Sequence, residues 1–175
     1  MVQSQGIICK GGLKMGDKLF AGLSFEQVVR EYKKTVGSVC VMRLNNAYDA
    51  EDCFQNTFLR LYKKSPDFES LEHLKAWLIR VAINECKRYI TKNRPFVSLD
   101  KVNNDFVDFE QEKSDMSWAL MKLDVKYRDV LYLYYCEDYK VTEIAKILGK
   151  SQNTIKTLLS RGREKLKNIY GGDGK

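Results

Sequence analysis

The sequence predicts an all-α fold: two small helical domains joined by a flexible acidic linker. Three observations predict it. Only two prolines occur in 175 residues, so long helices can run uninterrupted. Apolar side chains recur at helical spacing through most of the chain, and the periodic stretches open on Ser, Asp or Thr, residues suited to helix N-caps. Charge falls into three blocks. Residues 25–94 hold 13 basic and 9 acidic side chains, and residues 114–170 hold 11 and 7. Residues 95–113 hold 2 basic and 5 acidic, so an acidic segment separates two basic ones.

In chain order, residues 1–23 show little periodicity and are expected to form a disordered extension that adds nothing to the core. Lys10-Gly11-Gly12 is compatible with a purine-rich ribosome-binding site, and Met15 follows at a suitable distance, so translation is expected to start at Met15. Residues 24–94 read as the first domain. Ser24-Phe25-Glu26-Gln27 forms a capping box, after which Val28, Val29, Tyr32, Val36, Val39 and Cys40 recur on one helical face. A second helix begins near Asp49, whose carboxylate can cap it. Cys53, Phe54, Thr57, Phe58, Leu61 and Tyr62 make its buried stripe, and Ser65-Pro66-Asp67 ends it. A third starts near Ser70, buries Leu74, Trp77, Leu78, Val81, Ala82 and Cys86, and stops before Pro95.

Residues 95–113 start at that proline, lack helical periodicity and contain Asn103-Asn104-Asp105, as a linker does. Residues 114–170 carry four helical stretches: Ser114 to Leu123, Lys126 to about Tyr135, Thr142 to Leu148 and Ser151 to Ile169. Residues 171–175 are a tail.

Composition narrows the function. A net charge of +7 favours a nucleic acid or an anionic surface as partner. No apolar run is long enough to span a bilayer, so membrane insertion is not expected. Ile7-Ile8-Cys9 is too short for a secretory core and Lys10 interrupts it. Cys9, Cys40, Cys53, Cys86 and Cys136 contain no CxxC pair, and the single histidine, His73, has no cysteine near it. No metal site and no cofactor are expected, and scattered cysteines suit reduced thiols in the cytoplasm, with the last four as small core residues. One histidine offers little acid–base chemistry, so no enzyme is expected.

The last third reads as a helix-turn-helix. Thr142 caps a short helix with Glu143 in its first turn, Ala145 permits close helix crossing, Gly149 supplies a left-handed turn, and Ser151 caps the next helix. There Ile155, Leu158, Leu159, Gly162 and Leu166 share one face. Asn153, Lys156, Thr157, Ser160, Arg161 and Glu164 fall opposite, short polar and cationic side chains of the kind that enter a major groove.

The residues also carry a family resemblance. Asp49-Ala50-Glu51-Asp52-Cys53-Phe54-Gln55-Asn56-Thr57-Phe58-Leu59-Arg60-Leu61-Tyr62 resembles region 2.2 of bacterial sigma-70-type factors. Trp77-Leu78-Ile79-Arg80-Val81-Ala82-Ile83-Asn84 resembles their regions 2.3–2.4, and Tyr127-Arg128-Asp129-Val130-Leu131 through Leu166 resembles region 4. With only regions 2 and 4 and a short linker, the chain is similar to the extracytoplasmic-function (ECF) group.

The resemblance implies a transcription initiation factor that binds core RNA polymerase, recognises minus-thirty-five and minus-ten promoter elements and promotes melting. Asp49, Glu51, Asp52, Gln55, Asn56, Phe58 and Leu59 would dock on the polymerase β′ clamp, with the β flap a second contact. Asp49 reads equally as an N-cap and Phe58 as core. Phe68, Arg80, Asn84, Lys87 and Arg88 would receive the opened minus-ten strand: an aromatic stacks, an amide reads a base edge, cations hold the backbone. Trp77 reads as core by its helical stripe, and His73 as surface. Asn153, Thr154, Lys156, Thr157, Ser160 and Arg161 would contact minus-thirty-five DNA, while Leu158 stands where related proteins often carry arginine. The acidic linker is either a nucleic-acid mimic within a basic polymerase channel or a solvated tether. An anti-sigma factor is a further implied partner. The alternative functions are a stand-alone helix-turn-helix regulator and a helical nuclease.

Overall fold

The computed structural model describes residues 18–44, 46–64, 66–92 and 115–172. The linker and most of the N-terminal extension, including Met15, lie outside the described residues. Seven helices are formed there: α1 (Phe25–Leu44), α2 (Ala47–Lys64), α3 (Leu71–Lys92), α4 (Asp115–Met121), α5 (Val125–Tyr135), α6 (Val141–Leu148) and α7 (Gln152–Gly172).

The first three pack as a bundle because each presents an apolar stripe to the other two. Val28, Val36 and Cys40 of α1, Leu61 of α2, and Leu74, Leu78, Ile79 and Ala82 of α3 have no solvent exposure. Burying one such leucine stabilises the fold by about 1.5–3 kcal/mol. Ser24 caps α1 as expected: the Gln27 amide donates to Ser24 Oγ at 3.3 Å, and the Ser24 amide donates to Gln27 Oε1 at 2.8 Å. Ser70 caps α3, taking the His73 amide at 3.1 Å. The cap of α2 differs from the expectation. Asn46 Oδ1 accepts the Tyr48 and Asp49 amides, at 3.0 and 3.5 Å, so the helix starts two residues before Asp49. The Asp49 carboxylate accepts a hydrogen bond from the Tyr89 hydroxyl of α3 instead.

The second bundle is α4–α7. Gly149 ends α6 with φ +63°, a left-handed position natural to glycine. Ser151 caps α7, its Oγ accepting the Thr154 amide at 3.1 Å. Thr142 is not the cap of α6: Lys140 holds that place, and its backbone amide donates to the Glu143 carboxylate at 2.8 Å. A Cβ on Gly162 would meet Leu131 Cδ1 at 3.1 Å, so the glycine allows the close approach of α7 to α5.

Two further expectations are corrected. Residues 18–23 do contribute to the core: Phe20 is 3% exposed and pairs with Leu23 in an isolated bridge. Cys136 is exposed, because it follows the last turn of α5, whereas Cys40, Cys53 and Cys86 are buried where α1, α2 and α3 meet.

The two bundles share one continuous core. Val39, Met42 and Ile83 from the first and Tyr132 and Leu133 from the second line the seam. Polar groups fix its register. Arg128 is buried and its guanidinium donates to the carbonyls of Leu120 (3.0 Å), Met121 (2.7 Å) and Leu123 (2.8 Å), ending α4. It also donates to the Met42 carbonyl of α1. Arg43 of α1 pairs with Asp129 of α5. Glu137 accepts from Lys75 of α3 at 2.8 Å and from the Tyr132 hydroxyl at 2.7 Å.

Candidate polymerase and DNA surfaces

The α2 surface presents Glu51, Asp52, Gln55, Asn56 and Leu59 to solvent. Its amphipathic pattern leaves these on the side away from Cys53, Thr57 and Leu61. The Gln55 amide donates to Glu51 Oε1 at 3.1 Å, one turn apart. The surface is acidic and amide-bearing, with the apolar Leu59 and Tyr48 exposed beside it, which suits a basic partner with an apolar anchor site. Two residues predicted for it are withdrawn from solvent, Phe58 almost wholly and Asp49 in part. Phe58 is 5% exposed and stacks edge-on against Phe54 at 5.1 Å, because its position faces the three-helix core. Asp49 is half-buried under Tyr89. Both support the surface from behind.

A second surface runs along α3. At about 100° per residue, His73, Trp77, Arg80, Asn84, Lys87 and Arg88 lie on one side of the helix. Arg80, Asn84, Lys87 and Arg88 are exposed, and Trp77 is half-buried against the core, as its stripe predicted. Phe68, in the segment leading into α3, stands at the head of this side. Its ring meets Trp77 at 5.6 Å and His73 at 5.5 Å, both edge-on. The structure thus brings an aromatic cluster, an amide and three cations into one row. Glu85 is the acidic neighbour: it is tied to Arg60 of α2 and lies 3.4 Å from Arg88. Lys87 faces the second bundle as well. Burial and the charges of Arg43 and Lys150 hold its ammonium below the usual lysine range, opposed by Asp129.

The third surface is the solvent side of α7. Asn153, Thr154, Lys156, Thr157, Ser160 and Arg161 are all exposed. Thr157 Oγ1 donates to the Asn153 carbonyl at 2.9 Å and the Thr154 hydroxyl bonds with Ser151 Oγ at 2.8 Å, so these two hydroxyls are oriented by the helix itself. Lys156, Ser160 and Arg161 extend into solvent from the same row. Leu158 is half-buried against the core, which is why a leucine is accommodated there. Arg163 is drawn off the row: its Nε donates to the Tyr135 hydroxyl at 2.9 Å, and the guanidinium lies over the Tyr134 ring.

Among the described residues, no group of three or more His, Cys, Asp or Glu side chains is arranged to hold a metal ion. Hydrogen bonding to Cys86, then burial, pushes the Cys53 thiol far up. Hydrogen bonding to Cys40, with burial added, pushes the Cys86 thiol up too. These thiols are packing groups rather than nucleophiles.

Sequence reasoning missed the turn at Phe20 and the polar seam. A signal for the first was present: Leu23 precedes the Ser24 capping box, where a hydrophobic residue often staples the chain to its helix. For the seam there was none, since nothing local to Arg128, Asp129 or Glu137 names partners some 60–90 positions away.

Known proteins share this order of two helical regions. The family model for sigma-70 region 2 matches residues 28–96, and the model for sigma-70 region 4 matches residues 118–166. The ECF RNA polymerase sigma factor SigW of Bacillus subtilis (strain 168) is 29% identical over 163 residues, covering 82% of this chain and 87% of that protein. SigM of the same organism is 26% identical over 157 residues, covering 85% and 96%. Two solved structures share the fold. The sigma factor RpoE of Bartonella quintana, in complex with the anti-sigma factor NepR, has a TM-score of 0.64 at 23% identity and covers 84% of this chain and 96% of its own. CnrH in complex with the cytosolic domain of CnrY has a TM-score of 0.62 at 24% identity, covering 86% and 89%.

Proposed function

This chain belongs to the sigma-70 family, in its extracytoplasmic-function group, and from that premise we propose how its surfaces divide the work of transcription initiation. It acts as a sigma factor, directing core RNA polymerase to promoters and promoting their melting. Its role is recognition rather than catalysis. The single observation that carries the assignment is the presence of region 2 and region 4 in order on one chain, since a stand-alone regulator needs only the helix-turn-helix. The regulator reading is thereby left without support.

In this proposal Glu51, Asp52, Gln55, Asn56 and Leu59 of α2 meet the β′ clamp of the polymerase, and the second bundle meets the β flap. The α7 row of Asn153, Thr154, Lys156, Thr157, Ser160 and Arg161 reads duplex DNA at the minus-thirty-five element. The α3 row takes the opened minus-ten strand: Phe68 offers a ring face, Asn84 a base-edge donor and acceptor, and Arg80, Lys87 and Arg88 hold the phosphates. An anti-sigma factor is the proposed regulator, supported by the partners named in the complexes of RpoE and CnrH. No helix among the described residues is long and apolar enough to cross a membrane.

The test is co-purification of the full chain with core polymerase, followed by run-off transcription on genomic fragments with mapping of start sites. Association and discrete start sites are expected. A chain that does not associate, or that binds promoters without polymerase and starts no transcript, overturns the reading.

A further inference from the structure

The segment entering α1 is a tight hairpin turn. The Phe20 amide donates to the Leu23 carbonyl at 2.7 Å and the Leu23 amide to the Phe20 carbonyl at 3.0 Å. Both central residues are left-handed: Ala21 has φ +50° and Gly22 φ +88°. That geometry belongs to a two-residue turn with positive φ at both positions. Glycine adopts it without cost, but alanine does so at a cost on the order of 1–2 kcal/mol. A conformation disfavoured at Ala21 persists because neighbouring contacts over-determine it.

Those contacts point at one place. The Phe20 ring is buried and meets Phe25 at 6.5 Å on one side and Phe68 at 6.4 Å on the other. Two residues earlier, Lys18 Nζ lies 3.1 Å from Asp67 Oδ1, next to Phe68 in sequence. Asp67 is fully exposed, so this ion pair orients the segment more than it stabilises it. The ring is the stronger tether, since an aromatic pair adds about 0.5–1.5 kcal/mol beyond its buried area. Phe68 in turn touches His73 and Trp77 at the head of the α3 row. An irregular segment between α2 and α3 has no ladder of its own to fix it. The turn supplies that fixation from the opposite end of the bundle's sequence.

We propose that Phe20 is a positioning residue for promoter opening: through its ring contact, aided by Lys18, it holds Phe68 in place at the head of the row that takes the displaced strand. This rests on the sigma reading of Phe68 and Asn84 given above. Phe20 itself need not touch DNA. Its loss leaves α2 and α7 where they are and lets Phe68 drift, so strand capture falls while polymerase binding stays.

The experiment uses the full chain reconstituted with core polymerase. The probe is a labelled single strand carrying the non-template sequence of a promoter mapped by run-off transcription. Each base of the minus-ten segment is made abasic in turn, and the affinity ratio of intact to abasic strand reports base capture. The unsubstituted protein is expected to lose about tenfold at one position, the scale of a stacked base. Phe68→Ala should abolish that discrimination, and Phe20→Ala should reduce it to below threefold with core-polymerase affinity kept within twofold.

If Phe68→Ala discriminates normally, the strand-capture reading fails and the proposal with it. If Phe68→Ala loses discrimination while Phe20→Ala keeps all of it, the proposal alone is overturned. Should Phe20→Ala fold poorly, Lys18→Ala/Phe20→Leu keeps an aliphatic side chain in the core and removes both tethers. It must show the same selective loss, and full discrimination in that folded variant overturns the proposal.

Discussion

Arg43 on α1 and Asp129 on α5 pair across the seam between the two bundles, with side chains only 6% and 13% exposed. Arg43 Nε finds no partner among the described residues. Burial raises the Asp129 carboxyl above its ordinary 3.8 even though Arg43, Lys87 and Arg128 all act to lower it. The pair therefore sets how the bundles meet more than it stabilises their meeting, since desolvation offsets its attraction.

That balance makes a double substitution informative. Arg43→Met alone leaves a buried carboxylate without its main counter-charge and should cost about 3–5 kcal/mol. Arg43→Met/Asp129→Leu should recover to within about 1 kcal/mol of the unsubstituted chain, or surpass it. Denaturant titration of the single and double variants measures this. A double variant as unstable as the two singles summed would refute it.

The same pair fixes a pH dependence. Asp129 binds its proton more tightly folded than unfolded. Its contribution to stability is thus fully present below 3.8 and lost as pH rises through the folded value. Arg43→Met moves that folded value higher still, by removing the largest lowering charge. The Tm gap between the unsubstituted chain and Arg43→Met should accordingly be smallest near pH 4 and widen toward pH 7. A gap that stays constant across that range would contradict the assignment.

Asn84 stands exposed in the α3 row. Asn84→Ala should lower open-complex formation roughly tenfold, within the ~1–3 kcal/mol typical of a base-edge contact. Affinity for core polymerase should hold. Permanganate reactivity of the opened strand and a core-binding titration read the two quantities. Equal loss in both would point to misfolding instead.

Arg161 is exposed on α7, one helical turn beyond Thr157. Arg161→Ala should weaken binding to minus-thirty-five duplex. If the contact is to phosphate, the slope of log affinity against log salt should become shallower by about 1. An unchanged affinity and slope would remove Arg161 from the DNA surface.

Alkylation tests the cysteine placement. In the native protein, Cys136 should react with iodoacetamide while Cys40, Cys53 and Cys86 stay unmodified until denaturant is added. Because partial desolvation by its neighbours and the charges of Glu137 and Asp138 raise the exposed Cys136 thiol, its reaction should speed up as pH increases above neutrality. Peptide mass mapping reads each site. Native-state modification of Cys53 or Cys86 would show that the three-helix core opens far more readily than its packing implies.

The sequence by itself determined the helices, the two-bundle division and the polar row of α7. Those depend on local signals: periodicity, Ser24, Ser70 and Ser151 as caps, Gly149 as a left-handed stop. It left Asp49 and Phe58 undecided between surface and support, because a helix repeat tells which residues share a side but not what covers that side. Only the tertiary structure buried Phe58, turned Asp49 toward Tyr89 and joined Phe20 to Phe68 across 48 positions. Only it gathered Arg128, Asp129 and Glu137 into the polar seam. The physical reason is common to all of these. A charge or a ring acquires its role from partners distant in sequence, and burial, which decides what a charge costs, exists only once the helices have packed.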